Sequence, residues 1–228
     1  MIKKESLILV VLLFVAAMVI FGCAQQEQTS VTSVPLIISN FPHEDGNQWE
    51  STFSVVYGTT EVSSRRITRE FNGTTTLENG LIAQNLMVSW GAVSSTVSMS
   101  GASKTFAAPW SFSLYYVSAN GVYDYGEPTN PTTEATMVIP LPLQVGDTWT
   151  ISGRTHEAIA EEEVTVPAGT FNTIKVAIRS WGNSEPDEYE WYAEGVGLVK
   201  SYTWFVAADI NNDPVEGSFN EELVSKNF

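Results

Sequence analysis

From Trp49 onward the sequence alternates apolar and polar residues with a period of two, and this alternation restricts the chain to extended strands. Over residues 171–181, Ile174, Val176 and Ile178 fall on one side, and Thr173, Lys175 and Arg179 fall on the other. Tyr189, Trp191 and Ala193 alternate with Glu188 and Glu190. Trp49, Phe53, Val55 and Tyr57 share a side opposite Glu50, Thr52 and Ser54. A helix would scatter these sets around its axis, whereas a strand gathers each onto one face. The pattern recurs at 82–90 and 112–116. Between the runs stand Asn72-Gly73, Asn79-Gly80, Asn120-Gly121, Pro167-Ala168-Gly169 and Asn211-Asn212-Asp213-Pro214, which supply positive φ or a preset proline φ and so turn the chain into hairpins. Residues 155–164 come nearest to a helical stripe, but Val164, Thr165 and Val166 return to strand preference. The expected fold is all-β: a curved antiparallel meander sheet forming an open or half barrel, with at most one short helix.

The amino terminus has a different character. Lys3 and Lys4 precede 15 uninterrupted apolar residues from Leu7 to Phe21, fewer than the ~20 that span a bilayer as a helix. Residues 1–22 therefore read as a signal peptide. The run ends at Ile20-Phe21-Gly22-Cys23, which resembles the bacterial lipobox, where a small residue precedes a cysteine that is lipidated before cleavage. Cys23 is the sole cysteine of the chain. The membrane is thus an expected partner, reached through acyl chains on Cys23, because two or three chains hold a protein far more firmly than one. Residues 23–33 comprise this cysteine and a polar tether, and residues 34–228 a single all-β domain. Localisation follows as the bacterial cell envelope. Ala24 after the cysteine favours the outer membrane in a host that has one, by resemblance to known lipoproteins.

Two stretches echo each other. Residues 41–49 (FPHEDGNQW) and 141–149 (LPLQVGDTW) agree at Pro, Gly, Asn/Asp and Trp, so the domain is read as two related halves starting near 41 and 141. The segment 140–149 (PLPLQVGDTW), then 163–171 (EVTVPAGTF), then 191–200 (WYAEGVGLVK), resembles an uncharacterised group of prokaryotic lipoproteins, the TapB-like domain-of-unknown-function family. The resemblance covers about 138–208. Glu194 stands where that family more often has Pro. The resemblance implies an all-β envelope domain, and it brings no catalytic residues to this chain.

Charge and composition narrow the chemistry. Lys plus Arg number 11 against 26 Asp plus Glu, a formal charge of −15, which repels phosphate backbones and excludes nucleic acid as a partner. With two histidines and one cysteine there is no Cys/His zinc pattern, and neither a metal nor any other cofactor is expected. Asp209, Asn211 and Asp213 open like a calcium loop, but Pro214 replaces the required Gly. Glu161-Glu162-Glu163 and Asp187-Glu188-Glu190 are rich in carboxylates, yet adjacent acids on a strand point to opposite faces. No nucleophile elbow or phosphate loop occurs, so no catalytic residue is assigned and the chain is not expected to be an enzyme.

Seven Trp, 8 Tyr and 11 Phe supply aromatic surface for either a packed core or a ligand platform. The leading expectation is a lipid-anchored binding or carrier module whose apolar concave face takes a hydrophobic small molecule. Tyr189, Trp191, Tyr202 and Trp204 are its candidate ligand groove. The alternative is a structural module that binds an envelope protein and has a fully packed core. A hydrolase ranks third, since no sequence spacing brings its groups together.

Overall fold

The computed structural model describes residues 35–91, 94–95, 110–208 and 213–228. The leader at 1–22, Cys23 and the tether at 23–33 lie outside the described residues, as do Asp209 and Asn211 of the calcium-like spacing. Strand makes up 72% of the described residues, and no helix occurs among them. The strands are β1 (Gln48–Tyr57), β2 (Thr60–Thr76), β3 (Ile82–Trp90), β4 (Ser94–Ser95), β5 (Trp110–Ser118), β6 (Gly121–Glu127), β7 (Asn130–Pro140), β8 (Thr148–Ile151), β9 (Arg154–Val166), β10 (Gly169–Arg179), β11 (Glu188–Ala193), β12 (Gly197–Ala208) and β13 (Pro214–Lys226). The stretch with the faint helical stripe is β9, a strand. Its β-branched residues and its ladder to β10 override the local Ala and Glu content.

Twelve strands form one antiparallel sheet in the order β7-β6-β5-β3-β2-β1-β13-β12-β11-β10-β9-β8, curled into a nearly closed barrel, while β4 pairs with β2 off this path. Two meanders therefore run side by side. One comprises β1 to β7, the other β8 to β13, and they join where β1 pairs with β13. The echoed segments open the two meanders with the same local structure. Gly46 and Gly146 both adopt positive φ, as a tight turn there requires. Gly46 N–H donates to Phe71 O and Phe71 N–H to Asn47 O; correspondingly, Gly146 N–H donates to Ala158 O and Ala158 N–H to Asp147 O. Each turn then delivers a tryptophan to the core. The Trp49 indole donates to Val196 O at 2.6 Å and the Trp149 indole to Val138 O at 2.9 Å, so each tryptophan bonds to a strand or turn of the other meander.

The alternating faces pack as their apolar residues dictate. Ile174, Val176 and Ile178 of β10 meet Val122 of β6 and Ile139 of β7, so the two ends of the sheet close over a common interior. Ile38, paired with Leu143 as an isolated bridge, adds to the same cluster. A second cluster joins Trp49, Phe71, Val166, Val199 and Leu223. The side chain of Glu194, the departure from the family pattern, accepts the backbone N–H of Ser39 and of Asn40 and so fastens this entering segment.

Phe71 is fully buried at the centre of the second cluster, with its ring edge-on to Trp49 at 5.6 Å. Phe71→Ala should destabilise the domain by about 3–5 kcal/mol in a denaturant titration. Ile82→Ala, at a position 61% exposed, should stay within about 0.5 kcal/mol.

Candidate functional site on the core face

The registers lay out the core face in cross-strand rows. Glu190 of β11, Ser201 of β12, Glu221 of β13, Phe53 of β1 and Arg65 of β2 stand in one row. The next row holds Glu188, Thr203, Phe219, Val55 and Ser63, and the row after it holds Phe205, Gly217 and Tyr57. On the other side of the first row, Tyr192 and Leu223 already belong to the closed apolar core. This face therefore passes from packed core, through a polar row, to an aromatic panel.

The aromatic panel is continuous. Phe53 lies 5.7 Å from Phe219 and 5.9 Å from Trp90, Phe219 stacks on Phe205 at 4.5 Å, and Phe205 meets Tyr57 edge-on at 5.6 Å. Gly217 makes this possible. A Cβ at that position would lie 2.6 Å from the Phe205 ring and 2.9 Å from Val56 O, so only glycine lets the ring settle on the strand. The panel is not sealed: Phe219 is 36% exposed, and Phe53, Tyr57, Trp90 and Phe205 are half-buried. Arg65 places its guanidinium 3.9 Å from the Trp90 ring centre and 5.3 Å from that of Phe53, so these ring faces already accept a cation.

The polar row is tightly coupled. Arg69 donates to both carboxylate oxygens of the buried Glu221. Burial works against the Arg69 charge, but Glu221 outweighs it and leaves the guanidinium above its ordinary value. Arg154 pairs with Glu188 at 2.8 Å and with Asp187 at 3.5 Å. Glu190 differs from these acids. It accepts the Tyr192 hydroxyl at 2.7 Å, and among the described residues no cation stands within salt-bridge distance of it. Burial, with help from the nearby Glu188 and Glu221 charges, pushes the Glu190 carboxyl up to about 7, against the pull of the Tyr192 hydrogen bond and, more weakly, of the Arg154 charge. Yet Glu190 keeps partial exposure, so it sits deep in protein surroundings without being cut off from solvent. Across the interior, burial and then Asp124 push the Tyr115 hydroxyl up to about 12. Below the row, an apolar pocket with about 370 Å³ of empty space, part of it open to solvent, lies between Phe41, Trp49, Arg69, Phe71 and Leu198.

The four residues read from the sequence as a groove occupy the opposite face. Tyr189 pairs with Tyr202 across the strands, and Trp191 pairs with Lys175 and Lys200. Lys175 lies 4.6 Å from the Tyr189 ring centre and 5.0 Å from that of Trp191, and the Trp191 indole donates to Glu162. Lysine stems and neighbouring rings thus cover Trp191, which is 8% exposed, while Trp204 stands 44% exposed on the same face. The structure brings Tyr189, Trp191 and Tyr202 together but places them outside the barrel wall, with Glu188, Glu190 and Tyr192 pointing inward in their stead. Sequence reasoning missed Glu190, Tyr192, Glu221, Arg69 and the panel partners of Phe53. Their one legible signal is that Glu188 and Glu190 alternate with Tyr189 and Trp191.

Comparisons with known proteins bear on the second meander. Residues 141–204 match a family described as DUF3108-like, within the 138–208 stretch that carries the sequence resemblance. No curated protein matches the chain. Among solved structures, a predicted lipoprotein from Parabacteroides distasonis is 18% identical with a TM-score of 0.41, over 82% of this chain and 97% of that one. A predicted exported protein with a YmcC-like fold from Bacteroides fragilis is 14% identical with a TM-score of 0.39, over 86% of this chain and 100% of that one. A DUF1329 family protein from Desulfovibrio piger is 8% identical with a TM-score of 0.25, over 81% and 85%.

The raised Glu190 carboxyl ties stability to pH. Its ordinary value is 4.5, so the folded chain takes up this proton before the unfolded chain does. The resulting stabilisation is full below about pH 4.5 and is lost as pH rises through about 7. Glu190→Gln, neutral at every pH, should match the wild type at pH 4 and exceed its stability at pH 8 by up to about 3 kcal/mol. Denaturant midpoints measured at both pH values check this, and parallel pH profiles for the two proteins would refute it.

Proposed function

We propose that this chain is a lipid-anchored module of the bacterial cell envelope that binds an apolar small molecule against the aromatic panel of its core face. The observation that carries this reading is the panel itself. Phe53, Tyr57, Trp90, Phe205 and Phe219 are stacked and half-exposed on a face whose other end is packed shut. Exposed contiguous aromatic surface in a concave wall is a disfavoured way to leave a protein unless something covers it. The sequence resemblance at the lipobox supports anchoring at Cys23, and the three blocks between 138 and 208 support a TapB-like lipoprotein as the finer family.

A second reading has its own observation. Trp204 and Val206, 44% and 52% exposed, share the outer face of β12, and Trp181 in the β10–β11 connection is 93% exposed; these residues would suit docking to an envelope protein.

Two measurements test the proposal. Labelled palmitate should enter the wild type in its host and fail to enter Cys23→Ser; equal incorporation would remove the anchor. The Pro35–Phe228 body should take up a fluorescent naphthylamine probe, and Phe219→Ser should weaken that uptake by about tenfold, or 1.4 kcal/mol. The thermal midpoint of this variant should fall less than that of Phe71→Ala, because the Phe219 ring is partly in water whereas Phe71 is fully buried. Absence of uptake by the wild type would reject binding and leave the docking reading.

A further inference from the structure

Resting on the binding role assigned to the panel, the geometry points to a cationic ligand: an apolar or aromatic body lying on Phe53, Phe205 and Phe219, with its ammonium group seated at Glu190. Glu190 stands two strands from Phe219 and one row nearer the packed core, roughly 12 Å between backbones, a gap that side chains of both residues reaching into the concave interior narrow toward the length of an alkyl chain. The arginines of the wall are committed. Arg69 is held by Glu221, Arg154 by Glu188 and Asp187, and Arg65 lies against Trp90 and Phe53. Among the described residues Glu190 is the acid of this wall that bonds a hydroxyl and no cation, since Arg154, whose charge reaches it from β9, bonds Glu188 and Asp187. A carboxylate ligand entering here would meet Glu190, Glu188 and Glu221 together, and like charge at close quarters is disfavoured in a partly desolvated site. An ammonium group would instead complete an ion pair with Glu190.

The groups facing Glu190 fix how such binding depends on pH. Glu188 and Tyr192 share its strand; Arg154 approaches from β9, Glu221 from β13, Tyr115 from β5, and Arg69 lies beyond Glu221. Burial leaves the empty carboxyl with a value of about 7, so it is largely protonated at pH 5.5 and largely ionised at pH 8. Binding of an ammonium group therefore expels a proton from Glu190 at and below neutral pH.

The test uses the full chain in lipid nanodiscs, with empty nanodiscs as the blank, and three small probes of one shape: 4-phenylbutylammonium, 4-phenylbutanol and 4-phenylbutyrate. Titration calorimetry at pH 8 should show the ammonium probe bound at least about tenfold more tightly than the carboxylate probe, with the alcohol between them. At pH 5.5 the ammonium probe should lose most of that advantage, although the probe itself stays protonated throughout. Runs in two buffers of different ionisation heat should show proton release at pH 6.5, a readout that needs no variant. Glu190→Gln should remove most of the preference, leaving only what Glu188 and Glu221 contribute, and all of the proton release, while Phe219→Ser should weaken all three probes alike. If the alcohol binds but the carboxylate matches the ammonium probe, or if Glu190→Gln keeps the preference undiminished, the cationic assignment is overturned and the apolar site stands. If none of the three probes binds, the binding role falls as well.

Discussion

Everything in this domain depends on the pairing of β1 with β13. A meander of hairpins can be assembled from local contacts, but this pairing joins residues near the start of the domain to its last strand. Phe53 opposite Glu221 and Val55 opposite Phe219 exist as neighbours only because of it. It unites two meanders into one sheet, whose β6 and β7 pack against β10. It also sets Arg69, on the second strand of the chain, against Glu221 near its end. Without that seam Arg69 and Glu221 would lie in separate meanders with their charges unpaired, and the aromatic panel would be split between two edges.

The tension within the wall is between burial and charge. A buried charge is tolerated when a partner and hydrogen bonds replace the lost water. Arg69 and Glu221 meet that condition with two parallel hydrogen bonds, and Arg154 meets it with two acids. Glu190 does not, and its carboxyl is accordingly the one in the row that surrounding protein pushes toward neutrality. His156 shows the same physics on the apolar side. Its ring stacks on Trp149 at 5.2 Å, its Nδ1 is buried without a partner among the described residues, and burial holds its charge below the ordinary value.

The strands were legible because period two leaves little choice. Ile174, Val176 and Ile178 share the core face as their spacing requires, Asn79-Gly80 falls between strands, and Gly121 and Gly169 open β6 and β10 straight out of their turns, whereas Asn72-Gly73 is no hairpin turn but lies within β2, where the register to β3 shifts. The direction each face would point was not legible in β11. The pattern separates Tyr189 and Trp191 from Glu188 and Glu190, and hydrophobicity argues that the rings go inward. The pairing of Ile174 with Tyr192 and of Val176 with Glu190 decides otherwise, because β10 has a more apolar face to bury and carries its neighbour with it. Lys175 and Lys200 then give Trp191 its cover from outside. The panel was hidden for a similar reason. Phe53, Trp90, Phe205 and Phe219 come from four strands, and the register that unites them involves Gly217, whose importance lies in an absent side chain.

The two echoed turns leave each meander sealed by the other, since Trp49 bonds to the β11–β12 turn at Val196 and Trp149 bonds to β7 at Val138. Neither half then owns a complete interior, and a chain cut between them would present an unpaired β1 or β13 edge together with an unfilled indole slot. Such an edge is a template for the same strand of another copy. The architecture is therefore one in which halves can be exchanged between molecules, and in which fragments supplied separately have a complementary surface waiting for each of them.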